Sequence, residues 1–110
     1  MIPQPVFFSI VIPTYNRADL IMKTLASVFS QTYLHYEVIV VDNCSTDNTE
    51  EVLSGCIQAG KIRYLKNDRN YERSWSRNRG MENAKGDFVT FLDSDDFMYP
   101  DNLKDAAVFV

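Results

Sequence analysis

The sequence predicts an α/β domain, an open and mostly parallel sheet with flanking helices, and three observations carry that reading. Four short runs rich in β-branched and aromatic residues punctuate the chain at 6–12, 37–41, 62–65 and 88–92. Segments with helical spacing separate them, and strand–helix alternation is the pattern of a parallel sheet with right-handed crossovers. The run at 37–41 is nearly continuous in apolarity rather than alternating, as a parallel strand covered on both faces must be.

Taken in order, the first run (VFFSIVI) meets Pro13, whose missing N–H is expected to end the strand. Asp19 then stands where a helix could start. Ile21, Leu25, Val28 and Thr32 recur at helical spacing as far as Tyr33. The second strand (EVIVV) ends at Asp42. A loop follows, with a helix N-cap at Ser45 or Asp47 and with Glu50 and Glu51 in a first turn whose dipole favours acids. That helix should stop near Gly55 or Gly60. After the third strand a helix is expected over 72–84, closed by Gly86 at a C-terminal cap position. Its stripe Ser74, Arg77, Met81 and Ala84 should face the sheet. The fourth strand (FVTFL) runs into an acidic cluster, after which Pro100 and Asp101 open one more helix. Phe7, Phe8, Phe88 and Phe91 sit at strand spacing and are expected in the core.

A chain of 110 residues with 45% hydrophobic content builds one core. Residues 1–110 therefore read as a single, partial domain. The apolar ending Ala106, Ala107, Val108, Phe109, Val110 carries no polar tail, which marks the domain as truncated. A net charge of −4 argues against nucleic acid as a partner, because a nucleic-acid binder needs a basic face. Yet most of the cations (Lys61, Arg63, Lys66, Arg69, Arg73, Arg77, Arg79, Lys85) fall in one stretch, which suits a small phosphorylated ligand. No apolar run approaches the ~20 residues that span a bilayer, and residues 1–5 lack a signal-peptide pattern. The cytoplasm is the expected compartment, at the inner membrane surface in a full-length protein. Cys44 and Cys56 form no metal pattern and read as free thiols. His35, the single histidine, falls at the start of the second strand, away from any catalytic triad.

In open α/β sheets ligands bind beyond the carboxyl ends of the strands. That rule gathers residues 14–17, 42–47 and 93–96 into one crevice. Asp93, Asp95 and Asp96, spaced by Ser94, place three carboxylates within four positions. Such a cluster suits a hard cation, Mn²⁺ or Mg²⁺, bridging to diphosphate oxygens. The alternative is a solvated acidic turn continued by Asp101 and Asp105. A calcium EF-hand loop is excluded, because Phe97 and Met98 stand where an oxygen ligand and a glycine are needed. An aspartyl-phosphate phosphatase would carry such a motif after its first strand, not its fourth. Neither GxxxxGK[ST] nor GxGxxG occurs, so phosphates must be held by metal and side chains. Asp42 either accepts a ring N–H from a nucleobase or caps the amides of residues 45–47. Arg77, on a face expected to be apolar, requires a partner: a carboxylate of the cluster, or a ligand phosphate or base. Tyr15 belongs to the crevice loop.

Four segments, IPTYNR (12–17), VDNCSTD (41–47), RNRG (77–80) and FLDSDD (91–96), together resemble the family 2 inverting glycosyltransferases over nearly the whole chain. The resemblance implies the Rossmann-like GT-A fold, a nucleotide-diphospho-sugar donor, a UDP-sugar above all, and a divalent metal, Mn²⁺ or Mg²⁺, at a DxD motif. It implies polysaccharide biosynthesis, with a glycan or lipid-linked acceptor. It assigns Pro13, Thr14, Tyr15 and Arg17 to the base pocket, Asp42 to the nucleobase imide and Arg77 to the nucleotide. It gives Asp93 to ribose and metal, Ser94 to the donor site, Asp95 to the metal, and Asp96 to the neighbourhood of metal or donor sugar. Asn43 departs from the second acid that many relatives carry there. The implied reaction is direct displacement at the anomeric carbon with inversion, and the family's general base lies beyond Val110. The fragment alone is expected to bind donor weakly and to transfer nothing. Two rivals stand beside this reading. A sugar-phosphate nucleotidyltransferase would need a glycine-rich, lysine-containing loop that residues 13–17 do not supply. A non-catalytic nucleotide-sugar-binding module would not need the acidic cluster.

Overall fold

The structure, a computed structural model, describes residues 5–109. Met1 to Gln4 and Val110, on which the signal-peptide and chain-end expectations partly rest, lie outside them. The elements are β1 (Phe8–Thr14), α1 (Ile21–Phe29), β2 (Tyr36–Asp42), α2 (Thr49–Gln58), β3 (Arg63–Lys66), α3 (Arg73–Asn83), β4 (Phe88–Phe91) and α4 (Asn102–Ala107). The sheet order is β3-β2-β1-β4 and every pairing is parallel. The chain steps outward from β1 to β3, then returns to the far side of β1. The strand order therefore reverses between β1 and β4, and the loops leaving those two strands open a crevice at their carboxyl ends.

Side chains alternate across each strand and divide the core in two. On one face Ile10, Ile12, Val38 and Val40 pack with Ile21, Leu25 and Val28 of α1, Leu53 of α2 and Leu103 of α4. On the other, Val11, Ile39 and Val41 meet Leu65, Ala84 and Val89. Fully burying a side chain of this size contributes about 1.5–3 kcal/mol, so the larger face carries most of the stability. No helix among the described residues is long and apolar enough to cross a membrane.

Several expectations are corrected. The first strand runs through Pro13 to Thr14, because Val11 directs its carbonyl toward Leu92 while Thr14 directs its own toward Asn43. By that alternation Pro13 points to the β4 side, where β4 pairing has already ended at Val11, so its missing N–H leaves no ladder bond unmade. The helix after β1 ends at Phe29 rather than near Tyr33, because the Thr32 amide turns to the Pro100 carbonyl at 2.8 Å. The helix after β2 passes through Gly55 and stops before Gly60, whose φ of 72° suits glycine. The N-cap of α2 is Asn48 rather than Ser45 or Asp47, and Asp47, one residue before it, accepts from the Thr49 amide and hydroxyl.

On α3 the buried positions are Ser76 and Gly80, while Met81 is 48% exposed. The stripe from Ser74 to Met81 thus misses the sheet by one register. Gly80 sets that register: a Cβ there would lie 2.3 Å from Val11 Cγ1, so only glycine lets the helix approach so closely. Gly86 is not a helix cap, because Ala84 ends α3 in an extended conformation. Its missing side chain instead admits β1, since a Cβ would meet the Phe7 carbonyl oxygen at 2.7 Å. Phe8 is buried as expected, but Phe88 and Phe91 remain 47% and 42% exposed because β4 is an edge strand. His35 is exposed at the amino end of β2, tilted against Phe7. Both cysteines are free thiols.

Candidate functional site

At the carboxyl ends of the strands lies a cleft of about 510 Å³. Of the residues singled out in the sequence, Pro13, Thr14, Tyr15, Arg17, Asp93, Ser94 and Asp95 line it. Asn16, Asn43, Asn70, Arg73 and Ser76 line it as well; in the sequence Asn16 belongs to the crevice segment 14–17, Asn43 is a departure, Arg73 is one of the clustered cations, and Asn70 and Ser76 drew no notice.

Hydrogen bonds stitch the two loops at the β1–β2 end together. Asn16, at a φ of 51°, turns its side-chain carbonyl to the amides of Thr46 and Asp47, and its own amide donates to Ser45 Oγ at 2.9 Å. The Ala18 amide donates to Asp47. Burial alone would raise the Asp47 carboxyl pKa. The bonds from Thr49 and Ala18 outweigh that effect and hold it below the usual aspartate value.

Asp42 is fully buried. Its Oδ1 accepts from the Ser45 amide at 2.9 Å and hydroxyl at 2.6 Å, and its Oδ2 accepts from the Tyr64 hydroxyl. Of the two roles open to Asp42 in the sequence, capping is visible in this geometry. Burial, then the bond to Asp42, pushes the Tyr64 hydroxyl pKa far above its ordinary value, so Tyr64 remains a donor.

The acidic loop is fastened to α1 and the turn after it by three side chains. Thr24 Oγ1 donates to the Ser94 carbonyl at 3.0 Å, Ser27 Oγ accepts from the Met98 amide, and Gln31 Nε2 donates to the Tyr99 carbonyl. The three carboxylates of that loop point to different places. Asp93 lies 3.8 Å from Arg77 and Asp95 4.0 Å from Arg17, in pairs about half exposed. Exposed pairs of this length are worth about 0–1 kcal/mol, so either carboxylate can be drawn to a stronger partner. Asp96 does not line the cleft; its Oδ1 accepts from the Phe97 amide.

No group of three or more His, Cys, Asp or Glu side chains among the described residues converges into a metal cage. A site of one or two carboxylates completed by phosphate oxygens is nevertheless how Mg²⁺ is commonly held. Asp93 and Asp95, half exposed on the cleft wall, fit that donor set. Among the described residues two polar side-chain atoms are buried without partners, the Thr14 hydroxyl in the cleft wall and Arg77 Nε. Such orphans cost about 1–3 kcal/mol each unless a ligand or water satisfies them. Of the two kinds of partner open to Arg77 in the sequence, the carboxylate is the one the structure shows, Asp93 at 3.8 Å, and Arg77 is not among the residues that line the cleft.

Asn43 replaces charge with a four-way clamp. Its Oδ1 accepts from Asn67 Nδ2 and the Tyr71 amide, both at 2.9 Å. Its Nδ2 donates to Asn70 Oδ1 and the Tyr71 carbonyl at 3.1 and 2.7 Å. The clamp holds the loop that brings Asn70 and Arg73 to the cleft. These residues carried no motif; the one cue in the sequence was the abundance of cations between β3 and α3.

The chain is similar to glycosyltransferases over most of its length. An uncharacterized glycosyltransferase of Rickettsia felis is 38% identical over 96 residues, covering 87% of this chain and 16% of that protein. The amylovoran biosynthesis glycosyltransferase AmsB of Erwinia amylovora is 38% identical over 104 residues, 92% of this chain and 35% of that protein. The crystal structure of Staphylococcus aureus TarS 1-349 superposes with a TM-score of 0.87 at 36% identity, covering 94% of this chain and 32% of that one. TarS, a poly(ribitol-phosphate) beta-N-acetylglucosaminyltransferase, has also been solved with UDP and with UDP-GlcNAc. The chain therefore spans well under half of each relative. Its parallel sheet and flanking helices match the GT-A fold of such enzymes. A family model described as glycosyl transferase family 2 matches residues 9–108, and the chain belongs to that family.

Proposed function

We propose that this chain is the donor-binding part of an inverting glycosyltransferase that uses a UDP-sugar and a divalent cation to build a polysaccharide at the cytoplasmic side of a membrane. One observation carries the reading. Carboxylates Asp93 and Asp95, cations Arg17 and Arg73, and the orphaned Thr14 hydroxyl line a single cleft at the strand-order reversal, and Arg77 pairs with Asp93 from outside that lining. Both signs of charge are what a metal-bridged diphosphate requires. The solved UDP and UDP-GlcNAc complexes of TarS support the choice of nucleotide.

In this account Pro13, Thr14, Tyr15 and Arg17 form the wall for the base, and the Thr14 hydroxyl gains the partner it lacks. Asp42 positions that wall through Ser45, which bonds Asp42 and the Asn16 amide at once. A carboxylate has about four acceptor sites and three of those of Asp42 are committed, so one is left for an imide N–H. Asp93 and Ser94 meet the ribose end of the nucleotide, Asp93 and Asp95 hold the cation, and Asp96 stands beside the donor sugar. Arg73 and Arg77 lie where diphosphate charge would fall. The cation, Mn²⁺ or Mg²⁺, supplies charge neutralisation for the departing nucleoside diphosphate. The attacking acceptor hydroxyl requires a general base that these residues do not provide, so the chain binds donor without transferring it.

The whole protein tests this reading. Incubated with UDP-sugars, Mn²⁺ and polysaccharide acceptors, it should release UDP and form a product of inverted anomeric configuration, read by NMR. Formation of UTP and sugar 1-phosphate from the UDP-sugar when pyrophosphate is added would indicate a nucleotidyltransferase instead, and retained configuration would sink the inverting mechanism.

A further inference from the structure

A second depression, of about 440 Å³, lies beside α3 and is lined by Asp68, Tyr71, Trp75, Asn78, Arg79 and Glu82 among others. Its size falls within the range of about 300–1,000 Å³ typical of small-molecule clefts. It shares α3 with the donor cleft, which takes Arg73 and Ser76 from the neighbouring face of the helix.

The wall of the groove is an aromatic stack. Tyr71 and Trp75 lie 4.3 Å apart between ring centroids and 17° from parallel. The Arg69 guanidinium sits over the Tyr71 ring at 4.9 Å from its centroid. Tyr71 is thus engaged by both Arg69 and Trp75, while Trp75 is 50% exposed and lines the groove. Asp68 fixes the stack by accepting from the Tyr71 hydroxyl at 2.6 Å, which also holds the Asp68 carboxyl below its ordinary pKa. An ordered, half-exposed indole is a costly surface to leave bare in water.

The charges around it decide what could cover it. Each cation of the rim already has a partner: Lys66 bonds Glu50 at 3.0 Å, Arg79 bonds Asn67 at 2.8 Å, and Arg69 lies on Tyr71. Asp68 and Glu82 add negative charge, so an anion such as phosphate is disfavoured. Asn78 and Glu82 make no hydrogen bond or ion pair with other described residues. A neutral polyol ring satisfies both halves of this chemistry. The C–H face of a pyranose is apolar and weakly positive, suited to the negative face of the indole. Its hydroxyls can donate to Glu82 and exchange hydrogen bonds with Asn78.

We propose that this groove is an accessory subsite that takes a pyranose ring of a neutral glycan on Trp75, with Asn78 and Glu82 as its polar partners. The occupant's place in the reaction, as part of the growing or acceptor polysaccharide, rests on the transferase reading; the groove itself does not. A glycan held there stays on the helix that also lines the donor cleft.

Trp75 is the single tryptophan, so its emission reports the groove alone. The chain is titrated with N-acetylchitotriose, cellotriose and maltotriose to about 20 mM, a range in which binding of millimolar order saturates. Glycerol at equal hydroxyl concentration serves as the control. The expected result is a saturable emission change with at least one trisaccharide, unaffected by metal. It should weaken at least tenfold in the doubly substituted Asn78→Ala, Glu82→Ala chain, whose far-UV circular dichroism should be unchanged because both side chains are exposed. Silence of all three sugars, an equal response to glycerol, or undiminished binding by the variant would each overturn the proposal. Titration with UDP separates the two readings: sugar binding without UDP binding defeats the donor site alone, and UDP binding without sugar binding defeats the groove alone.

Discussion

Gly80→Ala is expected to destabilise the chain, although alanine is the better helix former. The added Cβ would stand 2.3 Å from Val11 Cγ1 and 3.2 Å from Cγ2. The nearer contact is about 1.2 Å short of the ~3.5 Å at which carbon atoms attract. Val11 is fully buried in a central strand, and its branched side chain has little rotamer freedom with which to escape. Overpacking of this kind costs about 1–3 kcal/mol, and a clash this deep belongs at the upper end. The gain in helix propensity returns about 1 kcal/mol. The net loss is then about 2 kcal/mol, or a fall in Tm of about 8–16 °C for a domain of this size. Thermal melts followed by far-UV circular dichroism measure it. The same substitution in a Val11→Ala background should cost much less, because the opposing methyls are gone. Stabilisation by Gly80→Ala, or an equal cost in both backgrounds, would refute the close-packing argument.

Two further perturbations probe the network around the cleft. Asn43→Asp adds an acid to the cleft wall, and it should weaken nucleotide binding. The acid keeps the two acceptor contacts but sets an oxygen against Asn70 Oδ1 and the Tyr71 carbonyl, a loss of about 1–3 kcal/mol. Faster amide exchange at residues 67–71 with poorer UDP binding is expected; tighter UDP binding would show that position 43 reads the base directly. The second perturbation is pH. Burial would raise the Glu37 carboxyl, but bonds from the Ser9 hydroxyl, the Lys85 amide and Arg63 outweigh burial and lower it, as Asp47 is also lowered. Carboxyls with depressed folded pKa values contribute stability that is full above their unfolded values, near pH 4, and is lost as pH falls through the folded ones. Tm should therefore drop below about pH 4.5, and Glu37→Gln should flatten part of that fall; an unchanged pH profile in the variant would remove Glu37 from the account.

The strands were legible because each is a compact apolar run, and the acidic loop because three aspartates interrupt one. What escaped was set by distant contacts. Pro13 reads locally as a strand end, but the side on which its missing N–H falls depends on where β4 stops pairing. The buried face of α3 is decided by Gly80 against Val11, 69 positions apart in sequence, and helical periodicity in a polar segment could not reveal it. Asn70, Arg73 and Ser76 reach the cleft through the Asn43 clamp, a set of amide contacts with no sequence pattern of its own. Asp42 was recognised as important, while its engagement with Tyr64 depended on the β2–β3 pairing.

Calorimetric titration of the chain with UDP, with and without Mn²⁺, tests the donor-site claim most directly, with Asp95→Ala as the control. Weak binding that requires the metal and disappears in the variant is the predicted result. Absence of binding by the folded chain, or binding indifferent to both Mn²⁺ and Asp95, would contradict the assignment of this cleft to a metal-bridged nucleotide.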